Sequence, residues 1–151
     1  MLRLTKLTDY GILLMTHIAA SDKTLFAAAE LAESTRIPGP TVSKILQSLL
    51  HEGLLESIRG AKGGYRLARP AMQINVRDII MVFEGSIALT ECNLDHAQCD
   101  QSDGCTTSNN WKRINEAVSR ALESITLADM CQQNFMPVFK LQHSIPLQEV
   151  H

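Results

Sequence analysis

Apolar positions in the first fifty residues recur with the rhythm of helices. Leu7, Ile12, Leu13 and Met15 mark residues 3–20 as an amphipathic helix, and a turn at SDKT (21–24) follows. Phe26 to Glu33 read as a short Ala-rich helix with Leu31 and Ala32 inward, closed by the turn TRIPGP. The next helix opens with Pro40 at or near its first position, where a missing N–H is harmless. It runs through TVSKILQSLLHEG to a stop at Gly53, with Val42, Ile45, Leu46, Leu49 and Leu50 as its buried stripe. Its outer stripe is Thr41, Ser43, Lys44, Gln47 and Ser48.

The period then falls to two. LLESIRG and GGYRLAR flank AKG, which predicts a β-hairpin with a Gly-rich tip. Two helices, a tight turn and a basic hairpin make a winged helix-turn-helix. Residues 75–84, NVRDIIMVFE, read as a connecting helix. Residues 109–129 read as a long helix with Trp111, Ile114, Val118, Ala121, Leu122 and Ile125 on one stripe, near heptad spacing. The expected class is mainly α, a winged helix-turn-helix with a two-stranded wing plus a long C-terminal dimerisation helix. The organisation is a DNA-binding head over 1–70, a connecting helix and cysteine loop over 71–108, the long helix over 109–130, and an irregular tail over 131–151.

Composition adds little until it is divided. The 151 residues are 45% hydrophobic and 20% charged, enough to bury a core and against wholesale disorder. Residues 1–70 carry nine Lys and Arg against six Asp and Glu, whereas 71–151 carry five against ten. A basic module facing a polyanion, joined to an acidic one, fits that asymmetry. Arg3, Lys6 and the small residues near Ala19 imitate a signal peptide, but Asp9 and His17 interrupt the apolar run. No apolar stretch reaches the ~18 residues of a membrane span. The expectation is a cytoplasmic protein with no membrane contact, where clustered cysteines bind metal more often than they form disulfides.

Two candidate sites emerge. The major groove presents donors and acceptors, which Thr41, Ser43, Lys44 and Gln47 match as a recognition face. Arg59, Lys62, Arg66 and Arg69 make the hairpin a basic wing, suited to phosphates or a minor groove. The other site is ECNLDHAQCDQSDGC (91–105), where Cys92, Cys99 and Cys105 sit in a polar, acidic loop. Three thiolates converge only if a cationic centre offsets their repulsion and the cost of ordering the loop. Structural zinc sites favour short CxxC knuckles and four ligands. Gaps of six and five residues suit an iron–sulfur core better. Other readings are a zinc clip with His96 as fourth ligand, a metal-free thiol switch, and a Cys105–His96 catalytic pair without an orienting third group. Cys131 lies apart, as an ordinary buried or half-buried thiol.

The segments LTKLTDYGI, IPGPTVSKILQSLLHEGLL, GAKGGYRLARP and ALTEC together resemble the bacterial iron–sulfur winged-helix regulator family that includes IscR and NsrR, from about Leu4 to Ala128. The hairpin followed by three cysteines is the most specific part. The resemblance implies a homodimeric transcription factor, not an enzyme. Its long helices would cross between subunits, and its cysteine loop would hold an iron–sulfur cluster, two-iron or four-iron. IscR-type relatives use a histidine three residues after the third cysteine, where this chain has Ser108. Others recruit an acidic residue from the partner's first helix, and Asp9 holds the matching position. Asp9 and His96 both stand as candidates for the fourth ligand. A weak, exchangeable fourth ligand suits a sensor.

The reading that follows is a repressor on palindromic promoter DNA, its affinity set by the cluster and its targets the iron–sulfur assembly genes. A nitric-oxide-responsive repressor, an iron–sulfur electron or cluster carrier, and a zinc-clipped DNA-binding dimer are the alternatives.

Overall fold

The computed structural model describes residues 3–90 and 107–137. Helix α1 (Lys6–Ala20) begins later than the expected 3–20 span, because the Thr5 hydroxyl caps it by accepting from the Thr8 N–H. Thr8, Gly11, Leu14, Met15 and Ile18 form its buried face, and Leu13 is exposed. Helix α2 (Ala28–Thr35) lies two residues beyond the expected 26–33. The reason is Phe26, whose N–H donates to the Tyr65 carbonyl at 2.9 Å while its own carbonyl accepts from the Tyr65 N–H at 2.8 Å. That pairing holds the backbone extended, so the helix starts only after Ala27.

Arg36 ends α2 with a φ of 59°, and Ile37 is buried in the turn to α3 (Gly39–His51). Val42, Ile45, Leu46 and Leu49 are buried as expected, and Leu50 is half-buried. The wing pairs β1 (Leu55–Ile58) antiparallel with β2 (Gly64–Leu67), Leu55 opposite Leu67 and Ile58 opposite Gly64. The tip needs glycine: a Cβ on Gly63 would lie 2.1 Å from the Ile58 carbonyl oxygen. After a short 3-10 turn at Ala71–Gln73, helix α4 (Val76–Glu84) is capped by Asn75, as expected over 75–84.

The long helix expected over 109–129 is shorter. Helix α5 spans Ser108–Glu123, and a four-residue helix α6 (Leu127–Met130) follows a break at Ser124–Thr126. Two interactions stop α5. Thr126 and Asp129 form a reciprocal capping box that starts a new helix. The backbone of 125–127 also bridges to the head, with Val76 N–H donating to Ile125 O at 2.8 Å and Leu127 N–H to Ile74 O at 2.7 Å. Leu127 thereby enters the same core as Leu14, Leu31, Ile45, Leu49, Leu55, Ile74 and Ile79. The end of the expected dimerisation segment is thus part of the head's core.

Helix α1 docks on α4 through a close approach at Gly11, where a Cβ would fall 2.4 Å from the Phe83 ring. Glu84, the last residue of α4, accepts hydrogen bonds from the Thr5 N–H at 2.8 Å and from the buried Thr8 hydroxyl. Thr8 foremost, then Thr5, holds the Glu84 carboxyl below its ordinary range. The start of α1 is thus fixed to the chain that leads into the cysteine loop.

Candidate nucleic-acid interface

Helix α3 separates its residues cleanly. The core claims Val42, Ile45, Leu46 and Leu49, and helical periodicity then turns Ser43, Lys44 and Gln47 to the outside. Thr41 is half-buried at the first turn. Ser48 is also half-buried, and its hydroxyl donates back to the Lys44 carbonyl at 3.2 Å. The side chains of Thr41, Ser43, Lys44 and Gln47 make no hydrogen bond or ion pair among the described residues. They form a surface whose donors and acceptors are open to an external partner.

The wing divides its cations. Arg59 and Lys62, at the tip, are exposed and make no ion pair among the described residues. Arg66 is committed: its Nε and Nη2 donate to Glu56 Oε2 at 3.0 and 2.8 Å across the hairpin. The register that sets Glu56 opposite Arg66 was the readable signal for this pair. Arg69 faces Asp78 at 3.8 Å. The effective positive end of the wing is therefore its tip. Arg36, exposed in the helix-turn-helix turn, is a cation that the sequence reading passed over. Only a map of charges around the turn would have found it.

Of the expected cluster ligands, Asp9 lies exposed in the first turn of α1, its carboxylate in no hydrogen bond or ion pair among the described residues. Cys92, His96, Cys99 and Cys105 lie outside the described residues. The described residues alone bring together no group of three or more His, Cys, Asp or Glu side chains able to hold a metal ion. Cys131 is half-buried, its thiol facing the carbonyls of Leu127 at 3.2 Å and Thr16 at 3.7 Å. Burial pushes its pKa up, which suits a packing role.

The apolar stripe of α5 is split along its length. Val118, Leu122 and Ile125 are half-buried, and α5 packs on α4. Trp111 and Ile114, one to two turns nearer the N-terminus, are 39% and 45% exposed. No helix among the described residues is long and apolar enough to cross a membrane.

Comparison with known proteins places this geometry. The family model Rrf2, described as an iron-dependent transcriptional regulator, matches residues 4–133. Protein aau3 of Rhizobium meliloti is 33% identical over 130 residues, 85% of this chain and 84% of that protein. The solved structure of CymR, the global cysteine regulator of B. subtilis, superimposes with a TM-score of 0.68 at 30% identity, covering 87% of this chain and 97% of CymR. The structure of IscR from T. potens gives a TM-score of 0.64 at 32% identity and covers 85% of each chain.

Proposed function

Because the chain belongs to the Rrf2 family of transcriptional regulators, we propose that it is a cytoplasmic homodimeric repressor of palindromic promoter DNA, its affinity set by an iron–sulfur cluster. The observation that carries the DNA-binding half is the free polar face of α3 beside a wing whose tip cations are unpaired among the described residues. Ser43, Lys44 and Gln47 would meet base edges, with Thr41 at the first turn. Arg59 and Lys62 would meet phosphates or enter a minor groove. Arg66 would contribute less, since Glu56 answers its charge.

The cluster half rests on the donor set. Cys92, Cys99 and Cys105 would supply thiolates, and the fourth ligand would be weaker, Asp9 or His96. Asp9 suits a ligand given from one subunit to the other, because it is exposed and uncommitted among the described residues. When bound, the cluster supplies redox and ligand-exchange chemistry by which it can be lost or altered. This chain's own contribution is mechanical. Glu84 holds the first turn of α1, and with it Asp9, against the root of the cysteine loop. Ordering that loop would then fix the winged heads relative to each other, about one DNA turn, ~34 Å, apart. The resemblance to IscR favours iron–sulfur assembly genes as targets.

Iron, acid-labile sulfide and zinc per subunit, measured on protein purified without oxygen, test the cofactor. Iron and sulfide in matching amounts are expected. Zinc at one per subunit without sulfide would make the loop a structural clip and end the sensor reading. The exposed Ile114 would belong to the dimer seam, so Ile114→Asp should give monomers in sedimentation. A variant that stays dimeric would move the seam elsewhere.

A further inference from the structure

An open groove of about 520 Å³ runs between α4 and α5. Its walls carry two guanidinium groups, Arg77 and Arg120, and two carboxylates, Glu116 and Glu123. Met81 and Ile87 give it an apolar patch. Arg77 is the anomaly. Its side chain is 34% exposed, but its Nε is buried with no hydrogen-bond partner among the described residues, and its Nη1 stands 3.8 Å from Glu123 Oε2, within ion-pair reach but beyond a hydrogen bond. Folded proteins rarely leave a buried donor of a charged group unmatched, so this guanidinium is only partly answered by Glu123 and its outer nitrogens keep donors for the groove. Asn115 adds a second set of donors. Its Oδ1 accepts from the Leu89 N–H at 3.0 Å, and its amide hydrogens have no acceptor among the described residues.

The charge pattern selects the ligand. A simple anion would meet Glu116 and Glu123 along with the arginines, and a simple cation would meet the arginines. A small zwitterion satisfies both pairs. We propose that this groove binds a free α-amino acid, its carboxylate on Arg77, Arg120 and the Asn115 amide, its ammonium on Glu116 or Glu123, and its side chain on Met81 and Ile87. A planar guanidinium matches a carboxylate through paired hydrogen bonds, and the volume falls within the range of small-ligand sites. The groove is lined by none of the three clustered cysteines and by none of the side chains assigned above to DNA. Its position still gives it leverage, because the Leu89–Asn115 bond fastens the chain entering that loop to the groove's own wall.

The test is thermal unfolding of the full chain with each of the common L-amino acids at millimolar concentration, followed by titration calorimetry on any that stabilises. At least one should raise Tm by several degrees, and its N-acetyl and carboxamide derivatives, each lacking one charge, should not. Arg120→Ala should weaken binding by about tenfold or more, through loss of a charge-assisted contact. Ser119→Trp, which adds bulk at a half-buried position of the groove wall, should abolish binding while the fold persists by circular dichroism. No stabilisation by any amino acid would overturn the proposal. So would equal stabilisation by the N-acetyl derivative, or binding that survives both substitutions. Loss of dimer in Ser119→Trp with no amino-acid effect in the parent would show that a second copy covers the groove, and would also overturn it.

Discussion

Gly11 sits in the middle of α1, where glycine costs about 1 kcal/mol relative to alanine in an ordinary helix. Replacing it with alanine should therefore stabilise the protein, unless its neighbours forbid a methyl group. Here they do. The new Cβ would lie 2.4 Å from Cε2, 2.8 Å from Cζ and 3.3 Å from Cδ2 of Phe83, one whole edge of the ring. Phe83 is half-buried and packs against the core, so moving its ring to admit the methyl disturbs that packing. Overpacking of this kind costs about 1–3 kcal/mol. Against the ~1 kcal/mol gained in helix propensity, Gly11→Ala should be destabilising by about 1 kcal/mol. Urea unfolding followed by circular dichroism measures it, at unchanged m-value. A double-mutant cycle isolates the cause: in a Phe83→Leu background, Gly11→Ala should become neutral or stabilising, with a coupling of about 1 kcal/mol or more. A Gly11→Ala protein more stable than its parent would refute the close α1–α4 packing that fixes the root of the cysteine loop.

Four further outcomes follow from the geometry. Glu84→Gln should destabilise the protein at neutral pH. The Glu84 pKa is lowered in the fold, so its contribution is present above the ordinary glutamate range and is lost as pH falls through the folded value. Parent and variant stabilities should therefore converge in acid, and a gap that persists there would remove the charge from the explanation. Lys44→Ala should weaken specific DNA binding by ~1–3 kcal/mol if Lys44 reads a base edge. Arg59→Ala should flatten the salt dependence by about one unit of slope, and Arg66→Ala by less, because Glu56 already opposes it; equal effects of the two arginines would show that the Glu56 pair opens on DNA. In the metal-free protein Cys131 should alkylate more slowly than Cys92, Cys99 and Cys105, read by peptide mass spectrometry, since burial raises its pKa.

Much of the head was legible because one face of each element is claimed by the core. The stripe of α3 placed Ser43, Lys44 and Gln47 outside, and the change of period at Leu54 announced the wing. The errors share a cause, tertiary pairing that overrides local pattern. Phe26 looked like the start of a helix, but β2 takes its backbone. Ile125 extends the heptad stripe of α5 in sequence, yet its carbonyl is taken by the Val76 N–H, and Thr126–Asp129 restart the helix one turn on. The TLAD spacing of that capping box was readable, but the apolar stripe running through it was the louder signal. The hairpin cations were legible in number, but a tally cannot see that Glu56 faces Arg66 until the register is known. The groove at Arg77 had no sequence signal, since its walls come from residues 77–87 and 115–123 brought together only by packing.

The most direct measurement is fluorescence anisotropy of a labelled palindromic promoter fragment, titrated in parallel with cluster-loaded and cluster-free protein at fixed salt. Ordering the cysteine loop should change affinity by about a hundredfold, equivalent to ~2.7 kcal/mol of coupling. Cluster-loaded and cluster-free protein binding every fragment with the same affinity would contradict the account.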